Sequence, residues 1–127
     1  MDYRLEVVTL PVSDVEAARA FYTQQAGFTL DVDYHPASGL RVVQLTPPGS
    51  ACSIAIGKGL GGEATPGSVQ GVQLVVSDIH AARAELAGRG VDVTDVQEFP
   101  WGSFVFFADP DGNGWSVQAI PPRPAQS

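Results

Sequence analysis

The chain has 127 residues, enough for one hydrophobic core and one domain, while each half alone is about the size at which a fold becomes marginal. Fourteen acidic residues stand against seven basic ones, for a net charge of −7; spread along the chain, they leave no basic patch, so neither nucleic acid nor an anionic membrane surface is an expected partner. No apolar run approaches the roughly 20 residues of a spanning helix, the start MDYRLEVV lacks the regions of a signal peptide, and Cys52 has no partner for a disulfide, so a cytoplasmic protein is expected.

The first element is written twice. VVTLPVSDVEAARA (7–20) and GVQLVVSDIHAARA (71–84) align without a gap and agree at nine of fourteen positions, which marks a duplicated supersecondary module. In each copy alternating residues (Val8, Leu10, Val12; Val72, Leu74, Val76) describe a strand, and Ser-Asp then opens a helix. Ser13 with Glu16 has the spacing of a capping box. Val15, Ala18 and Tyr22, matched by Ile79, Ala82 and Leu86, form an apolar stripe at helical spacing. Strands then follow over Phe28–Tyr34, Leu40–Thr46 and Ala51–Ile56, with His35 to Gly39 turning the first into the second. One module is thus βαβββ, about 4–56, and a glycine-rich linker covers 57–68. The second module, about 69–120, repeats the order: strand from Val69, helix from Asp78 to about Arg89, then strands over Val91–Gln97, Ser103–Ala108 and Trp115–Ile120. Residues 121–127 read as a tail of the same single domain.

Two motif matches fail on context. Gly57 to Gly62 satisfies G-x-G-x-x-G, but Ala64-Thr65-Pro66-Gly67 opens no helix on which a pyrophosphate would rest. Asp109 to Gly114 has the spacing of half a calcium loop, but the twelfth position is Ile120 where a bidentate Glu is needed. A tight turn with Pro at its second position explains the segment.

With the duplication, the strand order and the FADPDGNGW segment (107–115) in place, the chain resembles the vicinal oxygen chelate superfamily, which groups glyoxalase I, extradiol dioxygenases and bleomycin-resistance-type binding proteins. The resemblance spans nearly the whole chain. It implies an α+β fold in which two tandem βαβββ modules form an eight-stranded, curved, cup-like mixed sheet, with helices on the convex face and a ligand in the concave one. Its motifs are structural and carry no function by themselves. Superfamily members that use a divalent metal place a His or Glu at each of four strand positions, which here read Val7, Ser53, Gly71 and Ser116. None is a strong ligand, so no metal and no cofactor are expected. The resemblance also implies modules paired within or between chains, and a homodimer is expected.

Pleat parity fills the cup. Residues that alternate with the helix-packed ones face it: Val7 and Thr9 in the first strand, Gly71, Gln73 and Val75 in the fifth. Aligning 49–54 with 112–117 makes Ser53 and Ser116 equivalent, and extends the lining to Val42, Gln44, Phe104, Phe106 and Gln118. Trp101, in the loop before Ser103, stands at the mouth, whereas Trp115 belongs to the core. Neutral polar groups on an apolar, aromatic wall are a common recipe for a small-molecule pocket. For catalysis the candidates are few: His35 at the rim, or Asp31 and Asp33 if their edge faces the cup. His80 reads as surface and Cys52 as a buried thiol. Three functions compete: metal-independent binding or sequestration of an apolar or aromatic metabolite or antibiotic, a cofactor-free enzyme, and a metal-dependent lyase, isomerase or dioxygenase. The first fits the residues best.

Overall fold

A computed structural model describes residues 1–60 and 64–121. The elements are β1 (Val7–Thr9), α1 (Val15–Ala20) with a π-helical turn (Phe21–Gln25), β2 (Thr29–Ala37), β3 (Leu40–Thr46), β4 (Ser53–Lys58), β5 (Val72–Val76), α2 (Ile79–Gly88), β6 (Gln97–Phe99), β7 (Gly102–Ala108) and β8 (Gly114–Ala119). This is βαβββ twice, an α+β fold. The strands form two mixed four-stranded sheets, ordered β1-β4-β3-β2 and β5-β8-β7-β6, with β1 parallel to β4 and β5 parallel to β8. Residues 61–63 of the expected linker, including the end of the glycine-rich match, and 122–127 of the tail lie outside the described residues.

Alternation along each strand decides what is buried. Val43 and Leu45 of β3 lie opposite Ile56 and Ile54 of β4, and Val105 and Phe107 of β7 opposite Val117 and Trp115 of β8. These eight join Leu10, Val15, Ala18, Tyr22 and Ile79 in a single core drawn from both modules. Removing each of the larger of these side chains from water contributes roughly 1.5–3 kcal/mol, which neither module could collect alone. Helix α1 packs on β4, and α2 on β7 and β8. The π-helical turn lets two consecutive aromatics reach the core: the Ala26 N–H donates to the Phe21 carbonyl at 2.9 Å, five residues back, and both Phe21 and Tyr22 are buried.

The turn at 109–113 fastens the modules together. Asp109 accepts the backbone N–H groups of Asp111 and Asn113, and the Asn113 amide donates to the Pro11 carbonyl at 2.9 Å. The Tyr22 hydroxyl donates to Asp109 at 2.8 Å and accepts the Trp115 indole N–H at 2.9 Å. Gly67 presses its backbone against this turn at a φ of +81°, and an added Cβ would collide with the Asp111 carbonyl oxygen, so no other residue fits there.

Several local expectations are corrected. Asp14, not Ser13, caps α1, accepting the Ala17 N–H at 3.1 Å; Asp78 does the same for α2. Ser13 is drawn away by Asp111, which takes both its N–H and its hydroxyl, and Glu16 by Arg41. The expected strand over Val91–Gln97 is mostly irregular: the Thr94 N–H donates to the Phe106 carbonyl, but the Phe106 N–H returns to the Thr94 hydroxyl rather than to its carbonyl, so the ladder is left half made there. Arg83 holds the Thr94 carbonyl and Asp95. β2 runs through His35 to Ala37, leaving Ser38 and Gly39 as the turn, and β4 starts at Ser53 and extends into the expected linker.

Candidate ligand-binding faces

Each sheet has one face turned away from the helices. On the first, Val7 lies beside Ser53, Gln44 beside Ala55, and Val42 opposite Tyr34. Thr9 shares this face. Val7, Val32 and Tyr34 are 46%, 43% and 58% exposed, large apolar groups that nothing in the described chain covers. On the second face, Phe104 lies opposite Gln118, Phe106 opposite Ser116, and Gln73 beside Ser116. Sequence parity thus places Val7, Thr9, Val42, Gln44 and Ser53 together, and Gln73, Phe104, Phe106, Ser116 and Gln118 together. Trp101 is 62% exposed at the end of the second group, while Trp115 is buried.

The second face carries a ladder of aromatic rings. Phe106 stacks on Phe104 with ring planes 5° apart and centroids at 6.0 Å; Phe104 meets the edge of Phe99 at 5.8 Å, and Phe99 stacks on Trp101 at 5.1 Å. Beside it runs an amide chain. The Gln73 amide donates to the Gln118 oxygen, and the Gln118 amide donates to the Trp101 carbonyl at 3.1 Å. An open hollow of about 520 Å³ at one end of the ladder is lined by Phe106, Ser116, Gly71, Asp92 and Thr94. Phe99 was not expected here. Its signal was the Phe-Pro-Trp run, an aromatic pair two apart, which a strand at 97–99 places on one face.

On the first face Thr46 donates to the Asp31 carboxylate and meets the Ser53 hydroxyl at 2.6 Å. Asp31 therefore faces away from the helices, whereas Asp33 faces them and binds Arg41 with two hydrogen bonds of 3.0 and 2.8 Å. The Arg41 guanidinium holds the carboxyls of Asp33 and Glu16 below their usual range, chiefly through these hydrogen bonds. His35, next to Tyr34 in β2, points to the helix side and lines a cleft with Asp14, Glu16, Arg41 and Lys58. That cleft lies on the opposite side of the sheet from Gln44. Cys52, just before β4, is half-buried rather than the buried thiol expected.

The four positions that carry metal ligands in metal-using members do not assemble a donor set. Ser116 lies beside Gln73 rather than Gly71, because β5 pairs with β8 two residues out of step with the β1–β4 register. Val7 and Gly71 have no side-chain donor atom. Among the described residues no three of His, Cys, Asp and Glu gather as a metal site would need. These residues do not fit a divalent cation.

Among the described residues no helix is long and apolar enough to cross a membrane. No curated protein sequence is similar enough to match the chain. Among solved structures, TnmS3, an antibiotic binding protein from Streptomyces sp. CB03234, is 34% identical with a TM-score of 0.82, over 94% of this chain and 97% of that one. A glyoxalase/bleomycin resistance protein from the same strain is 35% identical, with a TM-score of 0.77 over 91% and 99%. A member of the Glyoxalase/bleomycin resistance protein/dioxygenase superfamily from Sphaerobacter thermophilus DSM 20745 is 32% identical, with a TM-score of 0.79 over 93% and 98%. The family model for the Glyoxalase/Bleomycin resistance protein/Dioxygenase superfamily matches residues 4–117. Two βαβββ modules, the matched residues and these structural relatives agree, and the chain belongs to that superfamily.

Proposed function

We propose that the protein binds and sequesters a flat, apolar or aromatic small molecule, a metabolite or an antibiotic, without a metal ion. The observation that carries this reading is the ladder Phe106–Phe104–Phe99–Trp101, whose outer rings are exposed beside the Gln73–Gln118 amide chain. Aromatic faces supply apolar area and stacking, and the amides orient a polar edge. The likeness to an antibiotic binding protein supports the same class of ligand. Such a molecule would lie half in water on a single open face. A second copy of the chain facing it would cover both the ligand and the bare apolar residues of the first sheet, so the binding form is a homodimer. The acidic balance fits a cytoplasmic protein with no nucleic acid or membrane partner.

Trp101 reports on occupancy. Its fluorescence should be quenched by bound members of a panel of aromatic metabolites and antibiotics, while buried Trp115 changes little. The same preparation, dialysed and analysed for Zn, Ni, Mn and Fe, should hold far less than one metal per chain. A stoichiometric metal bound on these faces, or turnover of a panel member that requires one, would sink the reading.

A further inference from the structure

The binding reading leaves open what the ligand carries at its edge, and resting on that reading, the first sheet constrains it. The β2–β3 register slips between Leu30 and Val32: Leu30 pairs with Leu45 on the helix side, and Val32 with Gln44 on the open side. Asp31 is the extra residue. A β-bulge re-aims the side chain it inserts, and the Asp31 carboxylate lands on the open face beside Thr46. Thr46 has one hydroxyl proton and gives it to Asp31. In the contact with Ser53, at 2.6 Å, Ser53 must therefore be the donor.

The result is a hydrogen-bond chain of fixed polarity, Ser53 to Thr46 to Asp31, ending in an exposed carboxylate that has only lone pairs to offer. The ion pairs with Arg19 and Arg41 go to Asp33, on the other side of the strand. Asp31 is flanked on its own face by apolar Val32, and the whole chain is acidic. The amide chain of the second face differs, since glutamine amides can both give and accept. We infer that the first sheet reads a hydrogen-bond donor on the ligand, an amino or hydroxyl group at the edge of an aromatic frame, with Asp31 as the specificity-determining acceptor.

Three probes of one shape separate donation from charge: proflavine, a cation with amino donors; N-methylacridinium, a cation with none; and acridine, uncharged at pH 8. Each is titrated by fluorescence against the wild-type chain, Asp31→Ala and Thr46→Val, with melting curves confirming that the variants fold. Proflavine should bind wild type at least about tenfold more tightly than N-methylacridinium, the size of one hydrogen bond to a charged acceptor. Asp31→Ala should remove that advantage and leave acridine within about twofold of wild type, since it loses no hydrogen bond. Thr46→Val, which frees the carboxylate from its anchor, should reduce the advantage in part. Equal affinities in wild type, or an advantage that survives Asp31→Ala, overturns the inference while the binding reading stands. If none of the three probes binds wild type, both fall.

Discussion

The Tyr22 hydroxyl is held between the Asp109 carboxylate, which also accepts the Asn113 amide, and the Trp115 indole N–H, whose hydrogen bond it accepts. Burial first, and then the Asp109 carboxylate beside it, hold the phenol far above its ordinary range. Tyr22→Phe would leave the buried Trp115 indole N–H without its acceptor and Asp109 Oδ2 with only the Asn113 amide, a loss of about 1–3 kcal/mol, or a fall of several degrees in Tm. The raised value also has a sign. Its contribution is complete below the unfolded phenol's pKa of roughly 10 and declines above it. Wild type should therefore lose stability on going from pH 9 to 11 more steeply than Tyr22→Phe, as thermal melts would register. Phe106 sits at the other extreme. It is 36% exposed and stacks on Phe104 alone, so Phe106→Ala should cost little stability and weaken an aromatic ligand roughly ten- to a hundredfold, about 1–3 kcal/mol of lost contact. If that variant unfolds while binding by what remains folded is unchanged, Phe106 belongs to the core.

At the scale of elements, Arg41 of β3 ties helix α1 to strand β2 through Glu16 and Asp33. Both carboxyls have folded values lowered by Arg41, so the stabilisation is present above their unfolded range near pH 4 and is lost as the pH falls through the lower folded values. Arg41→Gln should accordingly lower Tm at pH 7 and converge on wild type below about pH 3, and the gap should narrow in high salt because Glu16 is exposed. Were the gap constant across that range, the network would contribute packing rather than charge. What the sequence made legible follows from the range of each interaction. Helix stripes, strand alternation and the duplicated order arise from neighbours a few residues apart, and they appear in the structure as expected. Asp14 as cap, the bulge at Asp31 and the shortened β6 depend on Asp111, Thr46 and Phe106, partners that lie far along the chain. Parity failed in β2, where the one-residue bulge puts Asp31 and Asp33 on opposite faces, but it survived between the modules because a slip of two residues, as between the β1–β4 and β5–β8 pairs, keeps every side chain on its face.

For the molecule as a whole, the first sheet's open face, with Val7, Val32 and Tyr34 uncovered, and the second's, with Val75 and Trp101, make an isolated monomer a poor container. Light scattering at micromolar concentration should give twice the chain mass, and a strict monomer under those conditions would remove the proposed enclosure. The fastening at residues 109–113 says something further about the duplication. The positions that correspond to Asp109, Asn113 and Trp115 in the first module are Thr46, Ser50 and Cys52, and Tyr22 corresponds to Leu86. Each half thus holds only its own side of an asymmetric lock, although the two descend from one pattern. Cut at the linker and produced as separate polypeptides, the halves would sort into unlike pairs rather than like ones. A fusion of two first modules would carry two tyrosines with no aspartate to receive them, and the order of the modules is therefore as much a part of the fold as their number.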